Sequence, residues 1–321
     1  MCRKRPCWKP IARHWAADIP SRERWPRYRE PMTFNDNASV GGNSARRRGA
    51  GVAVAGGGIA GLGAIAVLLF QLFTGTDISG LVGGGGVPNQ PGTESEIAGC
   101  ETGADANAND DCRLAAASLN LDQFWGEQVE GYRAPQLIIV DGSTSTQCGT
   151  ASNQTGPFYC PPEESVYVDP TFFAILRQQF DATAGPLAQL YVLAHEYGHH
   201  IQQITGIMQQ NPNNGTGPDS NGVRTELQAD CFAGAWVAGM TQQVDENGVP
   251  FMQAPTPQQI SDALNAAASV GDDHIQQESG GQVNPESWTH GSSQQRQRWF
   301  DAGLEGGVGA CDTFAVPGRD L

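Results

Sequence analysis

Beyond Lys9 the sequence contains no lysine, and none of its eight cysteines falls in a CxxC spacing. The missing lysines leave residues 49–321 with 7 arginines against 30 acidic side chains, a net charge of -23. A surface this acidic repels phosphate backbones, so nucleic acid is excluded as a partner. The missing CxxC spacing argues against a cysteine-based metal knuckle. Internal repeats are absent too. Long apolar runs are nearly absent, with one exception: Gly51 to Phe73 carries no charge.

As a helix that run would extend about 35 Å, enough to cross a hydrocarbon core of roughly 30 Å. It reads as a transmembrane helix over 51–73, with a cleaved signal peptide or a soluble Gly-rich segment as rival readings. Residues 1–48 hold 12 of the 19 Lys and Arg, for a net of +8, and end on Arg46-Arg47-Arg48. Positive charge on that flank places the N-terminus in the cytoplasm and everything after the span outside a cell membrane that it crosses once. Met32 reads as the start of translation, with residues 1–31 contributed by an upstream start codon. The expected organisation is a disordered basic head (1–48), the span (51–73), a Gly-rich tether (74–99) and a folded domain (100–321).

Cys100, Cys112, Cys148, Cys160, Cys231 and Cys311 all fall in the part expected outside, where disulfides persist. Fifteen pairings are possible. The short spacings favour Cys100 with Cys112 and Cys148 with Cys160, which leaves Cys231 with Cys311.

Periodicity within the domain predicts a helix over Arg113–Val129 and a buried strand over Gln136–Val140. Phe158–Cys160 and Ser165–Val168 read as two strands joined by the turn Pro161–Glu164. Further helices are expected over Thr171–Phe180, from Pro186 to near Ile207, over about Val223–Gln243, and around 257–269 and 292–303. Strands come early and helices late, which predicts an α+β fold.

The chemistry centres on His195-Glu196-Tyr197-Gly198-His199. Residues four apart share one helix face, so His195 and His199 can ligate a single Zn²⁺ ion while Glu196 serves as general base. The apolar turn before them, Leu190 to Ala194, argues that these polar groups are buried and need partners. A further histidine at 205 is ruled out, because Thr205 stands there and Gln202 occupies the position that such a motif gives to glycine. A third ligand must come from elsewhere. Glu226, in Glu226-Leu-Gln-Ala-Asp230, supplies it, and Asp230 one turn later can orient a ligand histidine; the bland alternative is a solvated acidic pair. Gly198, Ala229 and Gly234 suggest that these two helices approach closely. His200 points about 100° away and reads as structural, and His274 reads as exposed. His290, in Trp288-Thr-His-Gly291, either stabilises an oxyanion or plays a structural role beside Arg296 and Arg298.

The blocks FYCPPEESVYVD, HEYGHHIQ, TELQADCFAG and WTHGSSQQRQRWF, in this order, resemble the putative neutral zinc metallopeptidase family of bacterial membrane-anchored proteins. The resemblance covers nearly all of residues 40–321. It implies a zincin-like fold of the gluzincin type, with zinc on His195, His199 and Glu226 and with Glu196 as base. The expected activity is peptide-bond hydrolysis on a peptide or protein substrate, lying along Val166–Asp169 as an edge strand. The competing readings are a zinc amidase acting on cell-wall peptides and a non-proteolytic zinc scaffold.

Overall fold

In the computed structural model, which describes residues 33–49, 94–179, 185–278 and 282–321, the chain opens with a strap over residues 33–45. Phe34, Ala38, Val40 and Ala45 are fully buried along it. Its backbone is tied far forward: Asn35 N–H donates to Phe251 O (2.9 Å) and Ser39 N–H to Asp245 Oδ2 (2.8 Å). The strap leads into β1 (Arg46–Gly49), which pairs antiparallel with β2 (Glu94–Glu96) and parallel with β3 (Gln136–Asp141). Acidic neighbours accommodate the arginines. Arg48 pairs with Glu94, and Arg47 with Asp111 and Asp141.

Between β2 and β3 lie α1 (Gly103–Ala108) and α2 (Asp110–Gln128). The Asn109 side chain caps α2 by accepting from the Asp111 and Cys112 N–H groups, satisfying donors that the helix leaves open. β3 is buried on both faces, which is why it reads as an unbroken apolar run. Leu137 and Ile139 face the main core. Ile138 and Val140 face a smaller cluster with Ala151, Phe158 and Tyr167. That smaller cluster is covered by a hairpin of β4 (Ser143–Thr146) and β5 (Gly149–Ser152). β6 (Phe158–Cys160) and β7 (Ser165–Val168) complete a mixed sheet in the order β2-β1-β3-β7-β6.

The remaining elements are helical: α3 (Phe172–Gln179), α4 (Pro186–Ile204), α5 (Ile207–Gln210), α6 (Asn221–Gly239), α7 (Pro257–Ser269), α8 (Asp272–Glu278) and α9 (Ser293–Gly306). Pro186 opens α4, where its missing N–H costs nothing. Ser220 caps α6, and Ser292 with Gln295 forms a capping box on α9. Gly198 of α4 sits against Ala229 of α6, so these two helices do approach closely. Gly234 serves a different neighbour. With Gly303 it lets α6 and α9 cross so tightly that a side chain at either position would overlap backbone. Among the described residues three disulfides staple the fold, Cys100–Cys112, Cys148–Cys160 and Cys231–Cys311.

Several sequence expectations are corrected. Residues 33–49 are not a disordered head, and 94–99 are not all tether; the arginine triplet is a strand of the domain sheet because acidic partners neutralise it. The domain therefore starts ahead of residue 100. The span expected over 51–73 lies outside the described residues, and among those described no helix is long and apolar enough to cross a membrane. The strands on either side of that span are neighbours, with Arg48 opposite Glu94. A single crossing would put its ends on opposite faces, about 30 Å apart. β7 is not an edge strand, since β3 and β6 flank it; β6 is the edge. His274 lies on α8 and is half-buried rather than exposed.

Candidate metal centre

Helices α4 and α6 carry the centre, and their contact at Gly198 and Ala229 brings the two motifs face to face. His195 and His199 project from one face of α4 with ring centroids 4.8 Å apart. Glu226, on α6, reaches between them. Its Oε2 lies 3.1 Å from His195 Nε2 and its Oε1 3.4 Å from His199 Nε2. One donor atom from each of the three falls within 4.8 Å of the others, and all three side chains are buried.

Each histidine is held from behind by its other ring nitrogen. His195 Nδ1 lies 2.8 Å from Asp230 Oδ1, so Nδ1–H donates there and Nε2 is the ring nitrogen turned toward Glu226. His199 Nδ1–H donates to Gln202 Oε1 (2.9 Å). Gln202 is fixed in turn, its amide donating to Thr225 O (2.7 Å) and to Gln228 Oε1 (3.1 Å). Gln228 donates to Cys311 O (2.8 Å), at the far end of the Cys231–Cys311 disulfide.

The donor set fits a zinc ion. Two imidazole nitrogens and a carboxylate are a catalytic zinc set that leaves a position open. Glu226 Oε1 is buried and accepts no hydrogen bond, an expensive arrangement unless a cation faces it. Electrostatics point the same way. Burial pulls the His195 pKa down, but Asp230 and Glu226 outweigh it and push it up to about 10. Burial raises the Asp230 carboxyl, yet Arg296 and His195 hold it down at about 2. Glu226 lies well below the usual carboxylate range: burial raises it, but His199 and His195 lower it more. Carboxylates buried this deeply demand a cation, and a divalent ion meets that demand with both imidazoles neutral.

The centre forms one wall of a cleft with a volume of about 300 Å³. Glu196 lines it beside the ligands. Across it, Pro157, Phe158 and Tyr159 bring in the sheet edge. His290 lines it as well, with Nδ1 2.8 Å from Thr289 Oγ1 and 3.3 Å from Asp272 Oδ1. Asp272 Oδ2 also accepts the backbone N–H groups of Thr289, His290 and Gly291, which fixes that loop. Arg296, behind the ligand histidines, holds Asp230. His200 points away, between Tyr159 OH (3.0 Å) and Arg133 O (2.7 Å), in a structural role.

Gln202, Tyr191, Asp272 and Arg296 escape sequence reasoning. For Gln202 a signal exists, because it stands three residues after His199 on the same helix face. Arg296 sits in the last of the quoted blocks, but nothing local links it to Asp230, 66 residues earlier.

Residues 23–314 match the family described as putative neutral zinc metallopeptidase. Uncharacterized protein Rv2575 of Mycobacterium tuberculosis is 45% identical over 223 residues, 69% of this chain and 76% of its own length. Uncharacterized protein YpfJ of Escherichia coli is 39% identical over 269 residues, 80% of this chain and 87% of its own. No solved structure matches the chain. With nearly its whole length matched and a His-His-Glu cluster at its centre, the chain belongs to the putative neutral zinc metallopeptidase family.

Proposed function

We propose that the protein is a zinc endopeptidase that hydrolyses peptide bonds in an oxidising compartment outside the cytoplasm. The carrying observation is that Glu196 lines the same cleft as His195, His199 and Glu226. That is the arrangement in which a carboxylate can work on a water beside an ion it does not ligate. The three disulfides support the compartment, because such bonds persist where thiols are not kept reduced.

Zinc, when bound by His195, His199 and Glu226, supplies Lewis-acid polarisation of the scissile carbonyl and acidifies the attacking water. Glu196 takes the proton from that water and delivers it to the leaving amine. Asp230 and Gln202 keep the two imidazoles aimed. Burial lowers the His290 pKa, but Asp272 at Nδ1 and the charge of Glu226 outweigh it, so the protonated ring can donate Nε2–H to the oxyanion developing on the substrate carbonyl. Edge strand β6 supports an extended peptide as substrate, gripped along its backbone.

The test is metal analysis beside hydrolysis of casein and of cell-wall peptides by the purified chain and by Glu196→Gln. The expected result is about one zinc per chain in both proteins and a rate loss on the order of 10²–10⁴ in the variant. His290→Ala should also keep zinc while turnover slows. A Glu196→Gln protein with full zinc and full activity would refute the mechanism. Cleavage of wall peptides alone would move the substrate from proteins to the cell wall.

A further inference from the structure

We infer that Arg296 is a positioning residue for the metal centre, acting through Asp230 on the His195 arm; this rests on the metal reading above. Arg296 projects from α9 and is 3% exposed. All three of its guanidinium nitrogens donate hydrogen bonds. Nε–H donates to Asp230 Oδ2 (2.8 Å) and Nη2–H to Asp230 Oδ1 (2.9 Å). Nη2 also reaches Tyr191 OH (3.2 Å), and Nη1 donates to Val270 O (3.1 Å). One side chain thus joins α4, α6 and the end of α7 behind the ligands.

The geometry explains why an arginine stands there. Asp230 is wholly buried, and its Oδ1 already receives Tyr191 O–H (2.5 Å) and His195 Nδ1–H (2.8 Å). Without a grip on Oδ2 the carboxylate could turn about its Cβ–Cγ bond and let the imidazole swing. A planar two-toothed donor prevents that rotation, which a point charge on a flexible stem does not. The charge matters as well. Glu226 stands one helical turn before Asp230, so two buried carboxylates share one neighbourhood. Arg296 supplies the fixed counter-charge to Asp230 and leaves the charge of Glu226 for the ion.

The test is zinc affinity by chelator competition, together with the visible spectrum of the cobalt-substituted protein. Arg296→Gln should weaken zinc binding by about 10- to 100-fold, the usual cost of losing a partner behind a metal ligand, and should shift the cobalt band. Arg296→Lys should recover part of the affinity, because the charge stays and the fork is lost. Arg298→Gln, an exposed neighbour on the same helix, should change neither. The double variant Asp230→Asn with Arg296→Gln should bind zinc no more weakly than Asp230→Asn alone, because the second change acts through the first. It also leaves no unbalanced buried charge, so it reports even where Arg296→Gln alone does not fold. Additive losses would overturn the inference. So would an Arg296→Gln protein that melts earlier yet keeps wild-type zinc affinity and cobalt spectrum. A wild-type chain that binds no zinc would instead defeat the metal reading, and the inference with it.

Discussion

Gly198 and Ala229 touch across the two motif helices: a Cβ added at 198 would lie 2.9 Å from Ala229 Cα and 3.2 Å from its carbonyl oxygen. Two of these neighbours are backbone, so no side chain can turn aside to make room. Gly198→Ala should push α4 off α6 and carry His195 and His199 away from Glu226. The expected outcome is a loss of about 1–3 kcal/mol in denaturant unfolding, with weaker zinc binding alongside. Ala229→Gly should rescue little, since it removes the Cβ but leaves the Cα and carbonyl oxygen in place.

The His199 arm runs through Gln202 and Gln228 to the Cys311 carbonyl. Reducing the Cys231–Cys311 bridge frees the last residues of the chain and takes that carbonyl with them. Zinc should then dissociate faster, and stability should fall by about 2–5 kcal/mol. Gln228→Leu separates the two effects. It keeps the disulfide while cutting the relay, so zinc affinity should drop roughly tenfold with the bridge intact. Chelator competition with oxidised, reduced and Gln228→Leu protein checks both statements.

Asp122 sits behind the metal helix with its Oδ1 accepting Tyr132 O–H at 2.6 Å. Burial raises its pKa from 3.8 to about 6, with the Tyr132 bond pulling slightly the other way. An acid whose folded pKa lies above its unfolded value holds its proton more tightly when folded. Its favourable contribution is therefore present below pH 4 and is lost as the pH rises through 6, a change of roughly 2–3 kcal/mol. Asp122→Asn should keep the acceptor, remove this loss, and raise the melting temperature at pH 8 more than at pH 4. Thermal unfolding at both values tests it.

The cluster of His195, His199 and Glu226 was legible because its spacings are local: His195 with His199, and Glu226 with Asp230 behind it, are each one helical turn apart. The long helices were legible through periodicity and through end signals such as Pro186. The strand over Arg46–Arg48 was hidden, because arginines read as a solvated flank until Glu94, Asp111 and Asp141 are seen beside them. The β4–β5 hairpin is built from Ser, Thr and Gly and gives no hydropathy signal. Strand order is not written in any segment either, so nothing local shows that β7 is internal and β6 the edge. The braces behind the histidines were hidden for a related reason. Gln202 and Arg296 matter only through partners that the fold delivers.

The strap over residues 33–45 has a consequence for how the molecule is made. Its hydrogen bonds run to Asp245 and Phe251, more than 200 residues downstream. On a ribosome the strap therefore waits, unsealed, until residue 251 has emerged. Arg296 and Cys311 arrive later still. Closure this non-local is slow and comes as one late event. The pocket between His195, His199 and Glu226 therefore takes shape only once synthesis is all but complete.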